Sequence, residues 1–179
     1  GLNTTVLGLV AERATCIDLA GLVKQRMTKK LGINGLKYNL ALDEELLPCA
    51  TGIDTVLRLV RESELDIFGP AFPTYSSDNR VFLGGEGMIA TADGYSDFLR
   101  IFLNKGMLNG KSFLKVKSIN EITSPQTQLD SKWGYNGYNL WVTGDTLRAS
   151  GWGDEGLWQG GGYEGTQFWI DPKRGFVGV

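Results

Sequence analysis

After Trp133 the sequence changes period, and that change restricts the fold more than any other feature. Upstream, apolar side chains recur at helical spacing; from Tyr135 onward the runs are short, aromatic-rich and alternating. Helices first and strands last predict an α+β chain, an antiparallel sheet with flanking helices, helical over about 1–125 and sheet over about 133–179. The 179 residues match the size of one domain of ~150 residues.

Gly1–Leu31 predicts two helices. Asn3 or Thr4 caps the first, whose Val6, Leu7, Val10 and Ala14 follow helical spacing. The second places Leu19, Leu22, Val23, Met27 and Leu31 on one face. Lys29 and Lys30 sit near its C-terminal end, where cations suit the helix dipole, and Gly32 stops it. Thr51–Arg61 is a third candidate, with Thr51 and Asp54 as cap and Ile53, Val56, Leu57 and Val60 on one side. Turn signals over Asp66–Asn79 predict a surface loop. Asp93–Lys105 carries the strongest helical pattern, with Tyr95, Phe98, Leu99, Phe102 and Leu103 on one face and Gly106 at its end. A short helix follows Ser118. In the last part, Tyr135–Thr143, Thr166–Ile170 and Phe176–Val179 read as strands. The turn Asp171-Pro172-Lys173-Arg174-Gly175 joins the last two into an antiparallel hairpin or meander.

Composition excludes several chemistries. With no histidine, the chain alone cannot build a Ser-His-Asp triad, a Cys-His dyad or a His-ligated metal or haem site. Two cysteines, Cys16 and Cys49, are too few for a zinc site and read as free, buried thiols, with a bridge between them as the less favoured alternative. A formal charge of −2 gives no basic surface for nucleic acid. No apolar run approaches the ~18 residues of a membrane span. At 42% hydrophobic and 21% charged, the chain can build a core, and its 25 glycines predict many tight turns.

Four motifs invite a chemical reading. Gly151-Trp152-Gly153-Asp154-Glu155-Gly156 fits G-x-G-x-x-G, but Gly160-Gly161-Gly162 soon after cannot propagate the helix that a dinucleotide site needs, so it reads as a loop. Ser112 and Lys115 fit S-x-x-K, yet they follow the Asn109-Gly110 turn beside Phe113, Leu114 and Val116, which read as ordinary burial; the match is one of chance. Ser118-Ile119-Asn120 fits S-x-N, but Glu121 makes Ser118 a capping box instead. Val142-Thr143-Gly144 lacks the lysine of K-T-G. The stretch Trp158–Pro172 differs, because three glycines abut a strand that ends in a defined turn. Glycine beside a strand admits a ligand or another backbone, and an exposed edge N–H there can donate to an oxyanion. A glycine-rich bulge before a hairpin explains the same residues without chemistry.

Gly84-Gly85-Glu86-Gly87-Met88-Ile89-Ala90-Thr91-Ala92-Asp93-Gly94-Tyr95, the helix after it and Leu108-Asn109-Gly110-Lys111 resemble the middle of a serine β-lactamase-like hydrolase. That family includes class C β-lactamases, penicillin-binding-protein homologues, D-amino-acid peptidases and related esterases. Gly165-Thr166-Gln167-Phe168-Trp169-Ile170-Asp171-Pro172-Lys173 is similar to the strand and turn after the family's third active-site box. Asn3-Thr4-Thr5-Val6-Leu7-Gly8 and Leu31-Gly32-Ile33 resemble the helix after its tyrosine motif.

The resemblance implies a β-lactamase/transpeptidase-like fold, present as the C-terminal part of a single domain over 1–179. It places the Ser-x-x-Lys nucleophile and the general-base tyrosine upstream of Gly1, so that no catalytic residue lies in this chain, and it lets the chain stop inside the sheet. It puts the Lys/His/Trp-Thr/Gly-Gly box on Gly160-Gly161-Gly162, or on Gln159-Gly160-Gly161 one residue earlier. The oxyanion-donating amide is then Tyr163 or Gly162, and the usual cation is replaced by Gly160 or Gln159. Trp158 and Tyr163 either line an acyl pocket or fill the core. The expected activity is acyl-enzyme hydrolysis of a small-molecule ester, amide or lactam, with no metal or organic cofactor. The missing N-terminal portion is a candidate second polypeptide. A non-catalytic homologue binding a ligand or partner, or a complete binding domain, are the rival readings.

Overall fold

The structure, a computed structural model, describes residues 2–47, 50–51, 58–59, 75, 77–127, 133–145, 154–162 and 165–179. The chain forms two units: Gly1–Lys30 with Gly35–Thr91, and Leu31–Asn34 with Ala92–Val179.

In the first unit, α1 (Leu2–Thr15) turns an unexpected face inward. Val6, Leu7 and Val10, the apolar positions read as its core face, are exposed, and the buried residue is Gly8. The cause is close backbone approach rather than side-chain size. A Cβ on Gly84 would overlap the Thr4 carbonyl, and one on Gly8 would lie 3.0 Å from Leu19 Cδ2 and 3.4 Å from the Gly84 nitrogen. Because α1 already begins at Leu2, Asn3 and Thr4 lie inside its first turn and do not cap it. Glu12 Oε1 accepts from the Leu19 amide (2.7 Å), and Asp18 caps the next helix by accepting from the Gly21 amide (2.6 Å). Cys16 is exposed, contrary to the expectation of a buried thiol, because the chain turns there with φ 55° on leaving α1; Cys49 lies outside the described residues.

Helix α2 follows over 19–31. It comprises an α segment Leu19–Val23, a π segment Lys24–Thr28 and a last turn Lys29–Leu31, with Met27, Thr28 and Leu31 buried, and Gly32 (φ 76°) ends it as expected. Strand β1 (Leu36–Lys37) pairs antiparallel with a later strand, Ile89–Ala90. Between them Ala50–Thr51 (β2) and Arg58–Leu59 (β3) pair as a two-stranded ladder, and Ile89–Ala90 is β4. Of the helix expected over Thr51–Arg61, the described residues Thr51, Arg58 and Leu59 lie in strands, and Ile53, Val56, Leu57 and Val60 lie outside the described residues. Of the loop expected over Asp66–Asn79, Tyr75 and 77–79 are described, as turns and irregular chain.

Tyr38 anchors this unit. Its ring is buried, meets Phe82 edge-on at 5.3 Å, and its hydroxyl donates to the Leu83 carbonyl (3.1 Å). Burial, with the Glu12 carboxylate adding to it, pushes the phenol up to about 12.

The second unit is built on α3 (Ala92–Leu103), the amphipathic helix predicted over Asp93–Lys105. Leu99 is buried as expected, and so is Ile101, on a side the sequence pattern had left out. Phe98 links Tyr95 (5.8 Å) to Phe102 (5.3 Å) along the helix, pairs worth about 0.5–1.5 kcal/mol each beyond their burial. The hairpin β5 (Met107–Leu108) and β6 (Lys111–Ser112) turns at Asn109 (φ 50°) and Gly110 (φ 73°), left-handed backbone that an Asn-Gly pair supplies. Asn109 Nδ2 donates to the Leu31 carbonyl (3.2 Å), holding the 31–34 segment in this unit.

Helix α4 (Val116–Ile122) starts earlier than predicted. Lys115 is its N-cap, so Ser118 lies inside the helix and forms no capping box, and Val116 is exposed rather than buried. The sheet is a five-stranded antiparallel meander in chain order: β7 (Gly134–Asn136), β8 (Trp141–Thr143), β9 (Trp158–Gly161), β10 (Gln167–Asp171) and β11 (Phe176–Gly178). Leu31, Leu99, Ile101, Leu108, Ile119, Val142 and Ile170 form the core of the unit. Each such aliphatic contributes about 1.5–3 kcal/mol over exposure.

Candidate functional site

Strand β9 is the middle strand of the sheet, and its register assigns every side chain a face. Gln159 lies opposite Trp141 on β8 and Trp169 on β10, while Trp158 lies opposite Val142 and Ile170. Directly opposed residues share a face. Phe168 touches Tyr95 of α3 edge-on at 5.8 Å, so the face holding Phe168, Ile170, Trp158 and Val142 is the one covered by α3. Trp158 therefore stands in a row with buried Val142 and Ile170, as a core residue does.

The three glycines have distinct roles. Opposite Gly160 lies Phe168, and a Cβ on Gly160 would stand 2.5 Å from Phe168 Cε1, so the phenylalanine ring occupies that side-chain site. A Cβ on Gly161 would lie 2.9 Å from Gln167 Nε2 and 3.1 Å from the Thr166 carbonyl; on Gly162 it would overlap Thr166 Oγ1. The cross-strand hairpin accounts for all three. It also leaves a strand edge bare of side chains.

That edge overhangs its neighbour. Strand β8 begins at Trp141, opposite Gln159, and the β7–β8 turn closes just before it through Gly137 N–H to the Leu140 carbonyl (2.9 Å). Gly160 and Gly161 run past that turn with register partners on β10 alone among the described strands. The Gly162 amide donates to the Thr166 carbonyl (2.8 Å), which directs it toward β10 and commits it to the hairpin. Amides alternate along a strand, so the Gly161 N–H points the other way, toward the edge that β8 does not reach. Gly161 is exposed. A backbone N–H at such an edge is a fixed donor for an anionic oxygen.

Of the predicted box residues, Gln159 uses its side chain within the sheet: Nε2 donates to Thr143 Oγ1 (3.1 Å) on the face away from α3. Tyr163 lies outside the described residues, as do Gly151–Gly153. Asp154–Gly156 forms a turn that leads into β9 and not into a helix. Ser112 sits on β6 and Lys115 has extended backbone (φ −76°, ψ 150°), both exposed, so no helical turn joins them. The residue that sequence reasoning missed is Phe168, whose place over Gly160 depends on a register no local pattern specifies.

At the opposite end of β10, Asp171 is buried. Its carboxylate accepts from the amides of Lys173 (2.9 Å) and Arg174 (2.8 Å) and pairs with the Arg174 guanidinium (2.8 Å), which also pairs with Asp154 before β9. The Arg174 amide and guanidinium together hold the Asp171 carboxyl below its ordinary value.

Solved structures share this fold. EstCE1, a hydrolase with promiscuous acyltransferase activity, matches with a TM-score of 0.78 at 18% identity over 99% of this chain and 49% of its own. A LovD6 mutant of simvastatin synthase from Aspergillus terreus matches with a TM-score of 0.70 at 16% identity, over 97% of this chain and 46% of its own. The octameric penicillin-binding protein homologue from Pyrococcus abyssi matches at 0.68 and 14% identity, over 96% and 35%. The chain thus spans half or less of the length of these structures. Among curated proteins none matches the sequence. The family model described as Beta-lactamase matches residues 2–179. With that match running almost from end to end, on a fold that hydrolases and penicillin-binding protein homologues share, this chain belongs to the beta-lactamase family.

Proposed function

We propose that these residues form one side of the acyl-transfer site of a serine hydrolase. In this reading a serine supplied by the preceding polypeptide attacks the carbonyl of a small ester or amide. Its proton passes to a lysine or tyrosine base from the same portion, and the carbonyl oxygen becomes an oxyanion. The Gly161 N–H, or that of Tyr163 two residues on, donates to the oxyanion, and the glycines let the substrate reach the backbone. Collapse expels the alcohol or amine, which takes up the proton, and leaves the acyl-enzyme. Water then attacks the acyl group, the base takes its proton, and the acid is released with the serine restored.

The observation that carries this reading is the exposed, glycine-only overhang of β9 in a chain of this family. Absence of histidine agrees with it, since lysine and tyrosine serve as bases in such a mechanism. With Gly160 or Gln159 where the box carries Lys, His or Trp, no cation meets a β-lactam carboxylate, which favours esters and amides as substrates.

The test is the intact mass of the native protein before and after a fluorophosphonate probe. One added probe mass on a serine outside Gly1–Val179 is the expected result. An unlabelled protein that still binds a ligand would establish the second reading, a non-catalytic homologue, which Phe168 filling the Gly160 side-chain site favours.

A further inference from the structure

Between Arg100 and Ser118 the chain carries four lysines, Lys105, Lys111, Lys115 and Lys117, and no carboxylate, in a protein whose formal charge is −2. The fold gathers them into one patch. Lys105 (φ 56°) lies in the turn after α3, and Gly106, the next residue, packs against the chain that enters α4. The Gly106 carbonyl accepts from the amides of Phe113 (2.8 Å) and Leu114 (3.1 Å), and a Cβ on Gly106 would overlap the Leu114 carbonyl. Lys105 and Lys115 each lie one residue from that contact, which brings them together. Lys111 opens β6 in the hairpin between them, and Lys117 lies in the first turn of α4. All four are exposed, and among the described residues none is paired with a carboxylate; Asp97, upstream on α3, pairs with Arg100 (3.0 Å).

Two apolar side chains stand among these charges. Met107, 45% exposed, lies on the hairpin beside buried Leu108, and Val116, 51% exposed, falls between Lys115 and Lys117. A surface hollow of about 440 Å³ opens between Leu103, Lys105, Met107 and Gly110. Lys115 and Lys117 also sit at the N-terminal end of α4, where cations oppose the helix dipole, and no acid in that first turn offsets them. Helix stability therefore does not account for these charges.

We infer that this patch docks the protein on an anionic membrane surface. Charge complementarity selects that partner, because clustered lysines without acids are drawn to negative headgroups within a Debye length of the bilayer. The residue types separate it from nucleic acid. Arginine, with its planar fork, is the group that reads fixed phosphates and base edges, and the patch has none; four flexible point charges suit headgroups that move to meet them. Exposed Met107 and Val116 gain nothing from a phosphate backbone. At a bilayer they enter the boundary between headgroups and acyl chains once the lysines have brought the surface there.

Co-sedimentation of the native protein with lipid vesicles tests the inference without a substrate, so its outcome is independent of the acyl-transfer reading. Vesicles of phosphatidylcholine mixed with phosphatidylglycerol are expected to pellet the protein, less so as salt is raised, and vesicles of phosphatidylcholine alone are expected to leave it in solution. Lys105→Gln and Lys115→Gln are each expected to weaken partitioning about fivefold. Met107→Ser is expected to weaken it as well, and Lys173→Gln, an exposed lysine on the β10–β11 turn, to leave it unchanged. All four positions are exposed, so the variants fold as the parent does. Failure of the mixed vesicles to pellet the protein overturns the inference, and so does an equal loss with Lys173→Gln, which would make the adsorption a matter of overall charge. Binding to a DNA duplex as tight as to the mixed vesicles, with Met107→Ser changing neither, overturns it too, since the patch would then recognise polyanions and not a bilayer.

Discussion

An amide on a strand edge cannot be supplied by a side chain, so its removal is a clean test of what it does. Gly161→Pro deletes the N–H at an edge position that tolerates proline, whereas Gly161→Ala keeps the N–H and brings its Cβ to 2.9 Å from the movable Gln167 side-chain amide and 3.1 Å from the Thr166 carbonyl. In the serine-hydrolase reading, Gly161→Pro is expected to lower kcat by about 10²–10³-fold, and Gly161→Ala to leave it near the starting value; steady-state kinetics on the native protein distinguish them. Gly160 answers to packing. Gly160→Lys drives a Cβ to 2.5 Å from Phe168 Cε1 and is expected to destabilise by about 1–3 kcal/mol. In a Phe168→Ser background the same lysine meets no ring, so Gly160→Lys is expected to cost less there than in the parent. Urea unfolding of the three variants measures that coupling.

Among the elements, the β10–β11 turn is held by a charge that acid should release. The Asp171 carboxyl is depressed by the Arg174 amide, the Arg174 guanidinium and the Lys173 amide, so its contribution is present above the ordinary carboxylate range and lost as pH falls through the lowered value. Asp171→Asn is therefore expected to lower Tm at neutral pH, with the difference from the parent shrinking toward zero in acid; melting curves across pH test the sign. Elements whose signal is local were legible in the sequence: α3 from its aromatic and aliphatic stripe, the turn at Asn109-Gly110 from its residue pair, and β10 and β11 from their period, whereas Tyr135–Thr143 read as one run holds two strands and β9 was not read as a strand. Elements decided by a distant partner were not. The buried side of α1 follows from Gly84, 76 positions beyond Gly8, and Thr51 and Arg58, both inside the expected helix, pair with each other in the β2–β3 ladder. The candidate site divides the same way, since its glycines were visible as letters while the β9 overhang exists only as a register between strands.

For the molecule as a whole, the dependence of the second unit on Leu31–Asn34 has measurable weight. Leu31 is 1% exposed, and Leu31→Ala is expected to cost about 2–5 kcal/mol. The loss should surface as faster amide exchange across 92–179, far along the chain from the substitution, which hydrogen-exchange mass spectrometry would read. The same borrowing imposes a schedule on synthesis. Leu31 leaves the ribosome 78 residues ahead of Asn109, whose side chain will bond its carbonyl. At 5–20 residues per second that interval is about 4–16 s. For those seconds the end of α2 carries its buried leucine with the partners that will cover it not yet made.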